Sequence, residues 1–515
     1  MKKTILTSVS ALALLAATSA FADPGNNTST VNQSGTNSQA NVSQGGSDAV
    51  STITQGSSGD SNIANVNQDG SLLGDSSSID QEGSGNHANV TQADDGSSCC
   101  GATVPIDTST VNQTGDGNTA DVTQNTWTAE LNTNSDVEQS GNGNQATVMQ
   151  VDDGQDSTID QISDGNIANV TQGNTATPGV DNSFANRSTV TQEGVGNHVA
   201  TVLQDSTDNL SNVTQSGDSD TASVDQTGSA ANASTVSQSG AFDDATVTQN
   251  GFVNSSDVSQ SAGSNSAVVS QTGEFNTSSV TESANFNAAR VTQNGTSNNS
   301  TVNQNSGSGS VFYTSTELGE AVLNDPNATS YVDVQQVGSS LGSVVNTSGT
   351  SNFAFVQQSG SGNTSDVESS GDGNAAFVEQ AGSGNSSTFA QSGHWTNMTT
   401  SEFPATGDND IAHAQGVHQL GNDNTSTIAQ TGNSTIFGAT ELVDVFQSGD
   451  GNISDVAQGG TDNLADVDQT GNLNQSFLTQ TGIDDSATVL QGSSGNVSYI
   501  TQGGSNNTAT VTQGH

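Results

Sequence analysis

Glutamine is the residue whose placement in this chain could do chemistry. It recurs two positions after a Val or Ile anchor, about every eleven residues, from Val31-Asn32-Gln33 to Val511-Thr512-Gln513. A primary amide both donates and accepts, so glutamines stacked at strand spacing can bond copy to copy as a ladder. That chemistry holds structure together; it does not turn over a substrate.

Residues suited to catalysis are dispersed. His87, His198, His394, His413, His418 and His515 are scattered, and His413 with His418 is too sparse for a metal pair. Arg187 and Arg290 lie about five repeats apart, roughly 20–25 Å at strand spacing, so they share no site. Acid-lined solenoid lyases need a basic group beside clustered acids to stabilise developing charge. The sequence therefore argues against an enzyme and assigns no catalytic residue, cofactor or metal ligand. Cys99 and Cys100 are adjacent, which does not suit an ordinary disulfide staple.

The elements that must position the glutamines follow from the residues before each anchor. Two positions ahead sits Ser or Ala in alternation: Ser29, Ala40, Ser51, Ala64, Ser77, Ala88, and onward to Ala289 and Ser300. The phase resumes after insertions at Ser343, Ala354, Ser365 and Ala376, and again from Ser454 to Ala509. Degenerate units fill the gaps around Val334–Gln336, Ile411–Gln419 and Val445–Gln447. In Ser/Ala-x-Val-x-Gln alternate residues share a face, so Ser29, Val31 and Gln33 point inward while Thr30 and Asn32 point outward. Other outward slots hold Thr52, Asn65, Asp136, Thr158, Thr246, Asp257 and Arg290. The recurrent link Gly-x-Gly-Asn, at Gly83, Gly85 and Asn86, at Gly115, Gly117 and Asn118, and at Gly141, Gly143 and Asn144, reads as a tight reversal in which Gly and Asn take positive φ.

This pattern predicts an all-β fold: a long β-solenoid of about 19 two-strand coils, each of roughly 22 residues, with cross-β stacking. Gln33, Gln55, Gln81, Gln113 and Gln139 would form one structural ladder in a Ser sheet, and Gln44, Gln68, Gln92, Gln124 and Gln150 a second in an Ala sheet. Two buried Val per coil cannot offset the ordering of a whole coil, so stability must come from stacked neighbours.

Composition agrees. Of 515 residues only 29% are apolar and 4% aromatic, too few for a conventional core of this size, while the periodicity argues against disorder. Residues 1–22 read as a secretory signal peptide, with Lys2-Lys3, the apolar run Ile5–Ala17 and Ala20-Phe21-Ala22 before Asp23. Residues 23–515 read as one repeat domain that is exported. The mature part keeps Arg187 and Arg290 against 53 acids, which excludes tracking of nucleic-acid phosphates. No later stretch approaches the roughly 20 apolar residues of a transmembrane helix. Calcium, if bound, is held diffusely by the acids, because the nonapeptide of calcium β-rolls is missing.

The pattern Gln-x-Gly-x-Gly-Asn-x-Ala-x3-Gln, complete at Gln81–Gln92, Gln113–Gln124 and Gln139–Gln150, resembles the signature of curlin repeats, the units of bacterial curli amyloid fibres. Close variants run at Gln161–Gln172, Gln358–Ser369, Gln380–Gln391, Gln447–Gln458 and Gln491–Gln502. The resemblance implies a secreted, cell-surface β-solenoid that self-associates end to end into fibres for adhesion and biofilm matrix, with cell-surface or matrix components as partners. The chain departs from a curli subunit in carrying several times more repeats, in having only Asp23–Thr28 ahead of the first repeat, and in its acid load. The alternative reading is a monomeric ice-binding or calcium-modulated adhesive β-solenoid, motivated by outward Thr pairs such as Thr52 with Thr54, Thr189 with Thr191 and Thr246 with Thr248.

Overall fold

The computed structural model describes residues 26–45, 48–57, 60–69, 74–94, 107–126, 132–173, 185–307, 330–394, 416–432 and 442–514. Residues 1–22, Cys99, Cys100, His413 and His515 lie outside them. Among the described residues no helix is long and apolar enough to cross a membrane.

The described chain forms 38 strands, from β1 (Thr28–Gln33) and β2 (Gln39–Gln44) to β37 (Val497–Gln502) and β38 (Thr508–Gln513). Odd-numbered strands build one parallel sheet of 19 strands and even-numbered strands build the other. Each strand pairs with the next one of its own parity, in register: Ser29 with Ser51, Ser51 with Ser77, Ala40 with Ala64, and Ala64 with Ala88. The Ser/Ala alternation thus names the sheet to which a strand belongs. β-branched anchors favour this pleated, half-buried setting.

Insertions leave the register untouched. β22 (Asn287–Thr296) pairs with β24 (Ser330–Ser339), Val291 against Val334 and Gln293 against Gln336. β28 (Ala375–Ser383) pairs with β30 (Gly416–Asn422), Val378 against Val417. β32 (Leu442–Ser448) seats Val445 and Gln447 in the same columns. In β24 and β32 Val332 and Val443 occupy the Ala slot, so that slot admits a larger apolar side chain.

The core is a stack of columns. Ile53, Val190, Val247 and Val378 are fully buried, with Ala64, Ala88 and Ala245 beside them. Thr246, one residue from Val247, is half-buried on the outer face. The expectation that Val31 is buried is corrected: its register matches Ile53, but it is 42% exposed. No strand lies beneath β1 among the described residues, and burial here comes from neighbouring coils, not from within one. The spacing of the two arginines is corrected as well. Arg187 opens β13 (Arg187–Gln192), and Arg290 stands four coils further along, on the opposite sheet.

Pairing length varies along the Ser sheet. β19 (Ser255–Gln260) and β21 (Thr277–Glu282) pair over six residues. By contrast β23 (Asn299–Gly307), β25 (Gly342–Thr350), β27 (Thr364–Asp372) and β29 (Ser386–His394) are nine-residue strands paired along their whole length.

Candidate functional site

Glutamine amides bond from coil to coil in both sheets. In the Ala sheet Gln44 Nε2 donates to Gln68 Oε1 at 2.9 Å, Gln68 to Gln92 at 2.9 Å, Gln92 to Gln124 at 2.9 Å and Gln124 to Gln150 at 3.0 Å. In the Ser sheet Gln33 donates to Gln55, Gln55 to Gln81, Gln81 to Gln113 and Gln113 to Gln139 at 2.7–2.9 Å. Every one of these bonds points from the earlier coil to the later one.

From Gln44 onward, the second N–H of each of these amides has its own target. Gln55 donates to the Gln39 carbonyl and Gln150 to the Asn134 carbonyl, each 16 residues back, across the two sheets. A glutamine therefore binds its neighbour along the axis and ties the Ser strand to the Ala strand. Fully buried at Gln55, Gln81 and Gln113, such an amide needs all these partners.

The turns differ from expectation in one respect. Gly85 and Gly117 take φ of +70° and +69°, and Gly143 +68°, as the reversal requires. Gly83 has φ +96° and is needed for a second reason: a Cβ there would stand 1.9 Å from the Gly115 carbonyl oxygen of the next coil. Gly141, however, is not in the positive-φ region, and a Cβ on it would meet the Ser163 carbonyl oxygen at 2.4 Å, so close approach alone demands it. Asn86, Asn118 and Asn144 are not in the positive-φ region either. They are fully buried.

These asparagines form a third kind of ladder, which the turn reading missed. The Asn86 backbone N–H donates to Asn62 Oδ1, Asn118 N–H to Asn86 Oδ1, and Asn144 N–H to Asn118 Oδ1, at 2.9–3.0 Å. Asn86 Nδ2 and Asn118 Nδ2 reach the Gly115 and Gly141 carbonyls at 2.8 Å. A mirror column runs along the other edge, Asn232 to Asn209 and Asn254 to Asn232. The signal was present: an Asn recurs one residue ahead of many strands with the strands' own period.

Acids and a histidine enter this column at its middle. His198, Asp220 and Asp243 replace Asn in consecutive coils, all buried. His198 Nε2 lies 2.8 Å from the Glu193 carbonyl, and the Asp220 N–H donates to Nδ1 at 3.2 Å. Asp220 Oδ1 accepts from the Asp243 N–H and Asp243 Oδ1 from the Asn265 N–H. Their Oδ2 atoms stand where Asn has its NH2: that of Asp220 lies 3.5 Å from His198 Nδ1, and the Gly217 and Gly240 backbone N–H groups bear on the Asp220 and Asp243 carboxyls. Burial pushes the Asp220 carboxyl upward, and it pushes Asp243 to about 7 with Asp220 adding to the rise.

The outer faces carry the remaining charge. Glu138 of β9 (Asn134–Ser140) stands directly against Asp160 of β11 (Asp156–Gln161). Partial burial and then Glu138 raise the carboxyls of both Asp136 and Asp160. On the Ala sheet His418 Nδ1 meets Glu379 Oε2 at 3.0 Å, beside a stack in which Phe355 and Phe377 lie 5.0 Å apart.

Stacked strand-turn-strand coils with amide columns on every inner corner define a β-solenoid of the repeat class. Residues 243–273, 442–471, 460–492 and 482–514 each match the curlin-associated repeat. The chain belongs to the curlin-repeat family. No curated protein matches it.

Proposed function

We propose that the chain is an extracellular structural protein, a curli-like fibre or surface-filament subunit that serves cell adhesion and biofilm matrix. Curlin repeats suggest self-association into fibres. The observation that carries the reading is the one-way sense of the glutamine columns. In the first described coil Gln33 and Gln44 carry Oε1 acceptors with no glutamine beneath them. In the last, Gln513 accepts from Gln491 and donates to the Val497 carbonyl, with no glutamine above it among the described residues.

One end is thus an acceptor face and the other a donor face, and their side chains match. Ser498, Ile500 and Gln502 correspond to Ser29, Val31 and Gln33, and Ala509, Val511 and Gln513 to Ala40, Val42 and Gln44. Molecules joined head to tail continue both columns in register. Two like ends present the same amide sense and cannot.

Outward acids oppose each other between coils, as Glu138 does Asp160 and Asp444 does Asp466. At strand spacing each such pair repels by about 0.9 kcal/mol even at the dielectric of water. Assembly is therefore cation-dependent: salt screens the repulsion, and calcium is faster than sodium at equal ionic strength because it also associates weakly and diffusely with the acids. The same mixing of acids with threonines, Thr158 beside Asp136 and Thr235 beside Asp257, interrupts a flat ice-binding face.

Negative-stain microscopy and fibre diffraction of residues 23–515 test the proposal. Unbranched fibres with a reflection near 4.8 Å along the axis are expected. Monodisperse rods that never lengthen, with or without calcium, would overturn it. Val511→Pro removes a ladder donor from the last strand and should slow elongation far more than Thr103→Pro, which lies in the segment between β6 (His87–Asp94) and β7 (Thr108–Thr114).

A further inference from the structure

The Ser-sheet column changes chemistry at Glu282. Gln260 Nε2 donates to Glu282 Oε2 at 2.7 Å, as it would to a glutamine. The next residue in register is Gln304. Here the column stops: Glu282 Oε1 and Gln304 Oε1 are both buried and neither has a hydrogen-bond partner. Turning the Gln304 amide round does not repair the gap. Its Nε2 donates to the Ala288 carbonyl at 3.1 Å, the bond to the residue 16 back that Gln271 and Gln293 also make. A flip would set two oxygens against each other there.

Two unpartnered acceptor oxygens on residues paired in register are reconciled by a hydrogen between them, and the group able to carry one is the carboxyl. We propose that Glu282 is held as a neutral carboxylic acid whose Oε1–H donates to Gln304 Oε1, so that this step of the solenoid is a proton-binding site. With the proton bound, the Ser-sheet column continues from Gln260 to Gln304. Without it, a carboxylate stands inside the sheet stack with one N–H donor.

The surroundings fit a neutral acid. β19 below and β23 above present uncharged Gln260 and Gln304. Across the interior β20 (Ser266–Glu274) and β22 bring the buried Ala267 and Ala289, while Glu274 and Arg290 lie toward the outer surface. Asp257 of β19 is likewise exposed on the outer face. The charged group that bears on Glu282 is Asp243, itself an acid. Burial, and then Asp243, hold the Glu282 carboxyl well above the usual range, against the lowering effect of the Gln260 bond. This step also lacks other reinforcement, since β21 and β23 pair over six residues and not nine.

In the unfolded chain Glu282 ionises near the ordinary glutamate value, about 4.3. Between that pH and the raised folded value, folding takes up a proton. The contribution is therefore complete below about pH 4 and drains away as pH rises to the folded value. Infrared difference spectra of residues 23–515 at pH 7, wild type minus Glu282→Gln, should contain the C=O stretch of a protonated carboxylic acid. Thermal melting should give the same answer by another route. From pH 5 to pH 8 wild type should lose several degrees more than Glu282→Gln, while Asp257→Asn, which removes an exposed acid from the neighbouring strand, should track wild type. Glutamine is what most steps of this column hold, Gln260 and Gln304 on either side included, so the variant should fold. A difference spectrum with no acid band, or Glu282→Gln melting that follows wild type across that range, would overturn the proposal.

Discussion

The two glutamine columns have the same geometry and different histories. In the Ala sheet the column is continuous from Gln44 to Gln513, carried past the longest insertions by Gln293 to Gln336, Gln380 to Gln419 and Gln419 to Gln447, all at 2.7–2.9 Å. In the Ser sheet it runs to Glu282, gives way to Gln304, Thr347 and Ser369, and resumes at Gln391, which donates to Gln430 at 2.9 Å. Backbone register does not slip across that breach. The lesson is that the amide column is one support among several. Where Thr347 and Ser369 interrupt it, the strands pair over nine residues instead of six, as their Ala-sheet neighbours also do, so a longer backbone ladder carries that stretch. The Glu282–Gln304 step has neither.

The largest effect should come from attacking what the sheets share. Val247→Asp buries an unpaired charge in the anchor column and should cost about 3–5 kcal/mol or abolish protease resistance, whereas Thr246→Asp, one residue away and half-buried on the outer face, should cost within about 1 kcal/mol. Equal losses in limited proteolysis would mean that the facing is wrong.

Next is the intact column itself. Gln271 accepts from Gln249, and donates to Gln293 and to the Ser255 carbonyl, at 2.8–2.9 Å. Gln271→Ala orphans buried partners on both sides and should cost about 2–4 kcal/mol in urea unfolding. Asp243→Asn restores the amide that the turn column elsewhere contains. Because Asp243 is raised to about 7, wild type is fully supported below about pH 4 and weakened as pH climbs to 7. The variant should gain about 1–3 kcal/mol at pH 8 and nothing at pH 3.5. A gain independent of pH would assign the effect to packing instead. The smallest change belongs to the breach. Ser369 is buried with an unpartnered hydroxyl, so Ser369→Ala should shift stability by no more than about 0.5 kcal/mol, in contrast with Gln271→Ala.

Much of this architecture was legible because strand faces alternate with period two and the anchors recur without drift. Val31-Asn32-Gln33 and its copies specify facing, and Ser or Ala, where present, specifies the sheet; Val417 and Val445 lack that mark, with Gln415 and Val443 two positions ahead, yet return to the Ala sheet after insertions. The turn asparagines were misread for a physical reason. Asn tolerates the left-handed region, yet Asn86 leaves that conformation to Gly85 and spends its amide on the next coil, Nδ2 donating to the Gly115 carbonyl and Oδ1 accepting from the Asn118 N–H. Elsewhere the same position is filled by Ser61, Phe242, Val253 or Phe275 in left-handed geometry, so composition does not mark it. The breach at Glu282 was invisible because a Glu at a Gln slot has the same shape, a hydroxyl or O− in place of NH2, and only the two unpartnered Oε1 atoms reveal the consequence. Nor does the structure explain the serines: Ser51, Ser77 and Ser109 are buried with hydroxyls that bond nothing in the protein.

The alignment of ladder bonds along the stacking axis sets how the rod bears load. Tension applied between its ends passes through the coils in series, so the force on each step is the same and the weakest step yields first. A released coil of 22 residues, the spacing of Gln139 and Gln161, pays out a chain of about 70 Å for each roughly 5 Å step lost. The rod is thus a spool whose stored length far exceeds its own. With protonation of Glu282 tightening one step at the middle, the point at which unspooling begins would move with the acidity of the surroundings.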